Sequence, residues 1–79
     1  MNEEIREKSA KILSVALGKT IDPWSQLKRE DSAEWDSLKH IEMVLMLEDE
    51  FKIRFSSEDV NHMRSLDQIV KAVTAKYGP

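Results

Sequence analysis

The apolar residues of this chain recur at helical spacing in three segments and alternate, as a half-buried strand requires, in none. Over 79 residues, that pattern predicts one all-α domain spanning residues 1–79: a small four-helix bundle of three main helices and one short one, packed antiparallel. A chain this short buries only about 60% of the surface its unfolded form exposes, so its core is small and its stability modest. A deep, water-excluding active site is hard to build from so little interior, and the chain is not expected to be an enzyme.

The first helix is predicted over residues 3–17, with Ile5, Ile12, Leu13 and Ala16 on one face. Asn2 suits its N-cap, Glu3 and Glu4 suit the positive end of its dipole, and Gly18 suits the stop position. A long connection over residues 19–35 follows, with Ile21, Trp24, Leu27 and Trp35 irregularly spaced in it. Connections of that length are uncommon in a compact domain unless they are functional or packed down. These four apolar side chains are expected to pin it to the core.

The second helix is predicted from Asp36, as N-cap, to Phe51. Ser56 and Asp59 then fit a capping box that starts a short helix through Met63, and residues 65–68 repeat that signal. In the last helix Leu66, Ile69, Val70, Val73 and Tyr77 form one apolar stripe, and Gly78-Pro79 ends it.

Charge is unevenly placed. The net charge of -3 divides into -1 over residues 1–35, -4 over residues 36–51 and +2 over residues 52–79. Concentrated negative charge argues against nucleic acid as a partner; a basic protein surface is the more natural complement, and a plain solvated helix face is the alternative that charge alone leaves open. With no cysteine in the chain, a disulfide framework or thiolate zinc site is excluded, and any thioester chemistry needs a thiol from an added group. No apolar run approaches the roughly 20 residues a membrane span needs. The charged N-terminal residues lack the apolar core of a signal peptide, so a cytoplasmic monomer is expected.

On a wheel of about 100° per residue, the second helix carries two apolar faces where a bundle helix needs one. Met43, Val44, Leu47 and Phe51 make a core stripe, with His40 in its middle. Leu38, Ile41 and Leu45 cluster on the opposite side, with Glu48 on one flank and Glu42 and Asp49 on the other. An apolar strip rimmed by carboxylates predicts a docking surface, unless the long connection folds over Leu38 or Ile41.

The run Trp35-Asp36-Ser37-Leu38-Lys39-His40-Ile41-Glu42-Met43-Val44-Leu45-Met46-Leu47-Glu48-Asp49-Glu50-Phe51 resembles the acyl carrier protein family. There an Asp-Ser-Leu motif opens the second helix, followed by apolar residues, an acidic cluster and a Phe. The resemblance extends over essentially the whole chain. It implies that Ser37 accepts 4′-phosphopantetheine from coenzyme A through a Mg-dependent phosphopantetheinyl transferase, with Asp36 supporting the modification. The arm would then carry acyl groups as thioesters to enzymes of fatty-acid, polyketide or another specialised biosynthetic pathway. Acyl-loading and acyl-transfer enzymes with basic patches would recognise Leu38, Ile41, Glu42, Leu45, Glu48 and Asp49. Met43, Met46 and Met63 are flexible fillers that a core opening to an acyl chain would use, although such residues are more often plain core, the reading favoured for Met63.

Three departures bear on pathway. Glu34-Trp35 stands where typical members place Gly and a small residue, Lys39 replaces an acidic or small polar residue, and the chain is less acidic than fatty-acid carriers. They leave a specialised pathway open beside general fatty-acid synthesis. Peptidyl carriers commonly show Gly-Gly-His-Ser or Gly-Gly-Asp-Ser, which is absent, so an acyl cargo is favoured over the peptidyl or aminoacyl alternative.

Three other readings of the residues compete. Catalysis by Asp36, Ser37 and His40 fails because the wheel puts His40 in the core stripe. His40 and His62 lack metal-ligand spacing around them, and Glu48-Asp49-Glu50 lies on a helix instead of in a calcium loop. A non-modified adaptor binding a partner through the Leu38–Ile41–Leu45 strip shares the fold, and differs in whether Ser37 is modified.

Overall fold

The computed structural model of the protein describes residues 2–77, the side chain of Asn2 excepted. Among the described residues four α-helices form, α1 (Asn2–Leu17), α2 (Ser37–Phe51), α3 (Ser57–His62) and α4 (Leu66–Tyr77), with one 3-10 turn at Arg29–Asp31. No β-strand forms among the described residues, which carry one isolated antiparallel bridge, Lys28 to Ser65. The protein is a small all-α bundle. The helix α1 already includes Asn2, expected as its N-cap, whose side chain lies outside the described residues, as do Gly78-Pro79, the expected stop of α4.

The helix α1 packs against both α2 and α4. Leu13 of α1, Met43 and Leu47 of α2, Met63, and Leu66, Ile69 and Val73 of α4 are sealed from solvent. All but Met63, the C-cap of α3, come from apolar stripes at helical spacing, which bring one face of every long helix to a shared centre. Tyr77 departs from its stripe: at the last turn of α4 it is exposed, and its ring meets Phe51 edge-on at 5.3 Å.

The helices α1 and α2 end alike. The amides of Gly18 and Lys19 both reach the Ser14 carbonyl, at 2.8 and 3.1 Å. Those of Lys52 and Ile53 both reach the Glu48 carbonyl, the second at 3.1 Å. Each ending needs a left-handed residue, and φ is 73° at Gly18 and 57° at Lys52. Glycine adopts that conformation freely, whereas a lysine is strained in it. Between α2 and α3, the Ser56 hydroxyl accepts from the Asp59 amide and the Asp59 carboxylate accepts from the Ser56 amide, completing the expected capping box. The helix α3 ends at His62, one residue before Met63.

The long connection is bound down along its length. Ser14 Oγ donates to the Ala10 carbonyl at 2.7 Å and accepts from the Ile21 amide at 2.8 Å, which ties the first turn of the connection to α1. Ile21 and Trp35 are buried and Leu27 is half-buried against the core. Trp24 is the exception among the four residues expected to pin it, being 67% exposed. Its ring lies 4.3 Å from the Arg6 guanidinium, which also donates to the Pro23 carbonyl and pairs with Asp67 of α4 at 2.7 Å. A cation over an aromatic face therefore fastens this part of the connection to α1 and α4, where core burial was expected.

Candidate functional site

The site lies where the long connection enters α2. Asp36 is extended (φ -88°, ψ -175°) and its Oδ1 accepts from the Lys39 amide at 2.9 Å, so it is the N-cap the sequence predicts. Ser37 is the first helical residue and is exposed. The amides of Ser37 and Leu38 precede the first carbonyl a helix can offer them, so they have no helical acceptor and form the positive end of the dipole.

Beyond Ser37, the three apolar residues of the second face stand in solvent: Leu38 is 66%, Ile41 49% and Leu45 58% exposed. The long connection does not fold over them. Glu42 and Asp49 on one flank are exposed, and Asp49 makes a loose contact to Lys52 at 3.9 Å. Glu48 on the other flank is half-buried, with Oε2 accepting from the Phe55 amide at 2.8 Å. One of its carboxylate oxygens thus organises the turn after α2. Beside Leu45, an open groove of about 460 Å³ runs between Glu48, Asp49, Lys52, Ile53 and Arg54.

Under the exposed Ser37 sits a buried polar cluster. The Trp35 indole Nε1–H donates to His40 Nδ1 at 2.9 Å, and His40 Nε2 lies 2.8 Å from the Val60 carbonyl. An indole N–H only donates, so Nδ1 is unprotonated, and Nε2 carries the proton given to Val60. The imidazole is neutral, buried and satisfied at both nitrogens. Burial pushes its pKa below the ordinary value; the bond to Val60 acts in the opposite sense, and the positive charges of Arg29 and Arg64 add to the lowering. His40 is therefore a rivet between the connection, α2 and α3, turned away from Ser37. A Ser-His-Asp arrangement is not assembled.

Arg29 completes the site, and nothing in its spacing announces it. Its amide donates to the Arg64 carbonyl at 2.8 Å, next to the Lys28–Ser65 bridge, and its Nε donates to the Trp35 carbonyl at 3.2 Å. Nη2 then lies 3.4 Å from Ser37 Oγ. Four chain segments meet here through one tryptophan and one arginine. A tryptophan and a histidine flanking a predicted helix start were the legible part of that signal; the partners from residues 29, 60 and 64 come from folding.

Nearby, Glu34 is held by the Ser32 hydroxyl at 2.7 Å and by Lys19 at 2.9 Å, which closes the two ends of the connection on each other. The Ser32 hydroxyl first, and then Lys19, draws the Glu34 carboxyl below its ordinary pKa. No group of three or more His, Asp or Glu side chains suited to a metal ion occurs among the described residues. No described helix is long and apolar enough to cross a membrane.

No family model, no curated protein and no solved structure matches the chain.

Proposed function

We propose that this protein is an acyl carrier whose Ser37 bears a 4′-phosphopantetheine arm. The observation that carries the reading is an exposed serine in the first turn of a helix, followed on the same element by an exposed apolar strip flanked by carboxylates. A single bundle helix gains nothing from apolar residues in water, so that strip suits a partner surface.

The residues around Ser37 fit the group. Its hydroxyl faces solvent, where a transferase would reach it. Attack of Oγ on the phosphorus next to the pantetheine half of coenzyme A forms the new P–O bond. The pyrophosphate P–O bond breaks, the nucleotide half leaves, and the serine proton passes to a base of the transferase. Asp36 spends Oδ1 on its cap and has Oδ2 free for the transferase-bound Mg. The amides of Ser37 and Leu38 face the place where the phosphodiester oxygens would lie. When attached, the arm supplies the terminal thiol that this cysteine-free chain lacks, and acyl groups ride on it as thioesters.

Leu38, Ile41 and Leu45, with Glu42, Asp49 and the outer oxygen of Glu48, would meet basic patches on the loading and transfer enzymes. The cargo would belong to fatty-acid, polyketide or other specialised biosynthesis.

The test is labelling with a fluorescent coenzyme A analogue, Mg and a broad-specificity transferase. Wild type takes up the label, folded Ser37→Ala takes up none, and Asp36→Asn, which keeps the cap, labels more slowly. Wild type that stays unlabelled while folded overturns the carrier reading. It leaves a non-modified adaptor that binds its partner through the same exposed strip.

A further inference from the structure

The geometry points to Arg29 as the counter-ion of the phosphodiester on Ser37, a residue that holds the root of the arm against the protein. This rests on the carrier reading and adds a residue to it.

The guanidinium is held from behind. Its Nε is spent on the Trp35 carbonyl, and Trp35 is itself fixed by the indole bond to His40. The Arg29 backbone is bonded to Arg64 across the chain. With the stem and Nε fixed, the Nη edge projects towards Ser37 Oγ, where the contact at 3.4 Å is long for a bond to a neutral hydroxyl. A hydroxyl does not use what a guanidinium offers. Four N–H groups on the two Nη atoms remain after Nε is spent, and one hydroxyl oxygen occupies one of them.

Charge points the same way. No carboxylate of the described residues lies within ion-pairing distance of Arg29, although Glu30, Asp31 and Asp36 are close in sequence. Arg29 shares this with Lys11, Lys28, Lys39, Arg54, Arg64 and Lys71, whereas Arg6, Lys8, Lys19, Lys52 and Lys76 have carboxylate neighbours; what sets Arg29 apart is its place beside Ser37. A phosphodiester on Ser37 would bring one negative charge and two free oxygens to the Nη edge, the planar match a guanidinium makes best. Arginine is required for this; lysine at position 29 would keep the charge and lose both the fork and the Nε bond. A purely structural brace would contact Trp35 in the same way and would be indifferent to what Ser37 carries.

The experiment compares apo protein with protein modified by coenzyme A, Mg and a broad-specificity transferase. Intact mass establishes one added arm before any spectrum is taken. Arginine side-chain Nε–H resonances and the 31P resonance of the arm are then recorded by NMR. On modification the Arg29 Nε–H resonance shifts more than those of Arg6, Arg54 and Arg64. The 31P resonance of modified Arg29→Gln is displaced from wild type, with Arg29→Lys between them. An Arg29 resonance unmoved by modification, with one 31P position shared by wild type and Arg29→Gln, overturns the assignment while the carrier reading stands. Failure of wild type to gain the arm overturns both. If Arg29→Gln does not fold, the wild-type Arg29 resonance decides alone.

Discussion

His40 holds a single proton on Nε2 because the indole of Trp35 occupies Nδ1 and can only donate. Protonating the ring would set an N–H against an N–H in a site that already disfavours charge. Burial chiefly, with the charges of Arg29 and Arg64 adding to it against the bond to Val60, lowers the folded pKa from the ordinary 6.5, and the sign of the pH effect follows. The unfolded chain takes up the proton first, so the stability His40 contributes is fully present above pH about 6.5 and is lost as pH falls towards the lower folded value. Trp35→Phe removes the indole donor and, with a smaller ring at a buried position, leaves a cavity. The lost hydrogen bond is expected to cost about 1–2 kcal/mol, with the cavity adding to it, and the His40 pKa to rise, since Nδ1 is then free to accept a proton. Urea titrations from pH 7.5 to 5 and histidine NMR titrations check both; an unchanged His40 titration in Trp35→Phe would contradict the assigned tautomer.

At the scale of elements, the matched ends of α1 and α2 give a pair of opposite predictions. Gly18→Ala has open space for its Cβ, so its cost is the left-handed backbone alone, about 1 kcal/mol. Lys52→Gly relieves the same strain at the other helix and should stabilise by a similar amount, about 1 kcal/mol, as thermal denaturation of the two variants would show. The two faces of α2 also separate cleanly. Ile41→Ser, on the exposed strip, should change stability by no more than about 0.5 kcal/mol. Met43→Ala, in the sealed core, should cost about 2–5 kcal/mol. Equal losses in chemical denaturation would mean that the strip is covered. Glu48 shows how far a wheel goes: angle alone put it on the rim, but its bond to Phe55 is made by a turn whose shape periodicity does not describe.

For the molecule as a whole, most of the helical framework was legible because burial at 3.6-residue spacing decides it locally. Asp36, Gly18 and the Ser56–Asp59 pair likewise act within a few residues of themselves. Trp24 and Tyr77 were misplaced because their surroundings are long-range: one ring is taken up by Arg6 of α1, the other lies at a helix end edge-on to Phe51. Arg29 was illegible for the same reason, since its partners lie at residues 35, 37 and 64. The exposed strip on α2 was legible as a surplus of apolar residues beyond what one bundle face needs.

The carrier account is tested most directly by the mass of the protein after incubation with coenzyme A, Mg and a broad-specificity transferase, followed by fragmentation of the tryptic peptide of residues 30–39. That peptide contains a buried serine, Ser32, and an exposed one, Ser37. The account predicts one added phosphopantetheine per chain, placed on Ser37. No added mass on folded protein, or an arm found on Ser32, would contradict it.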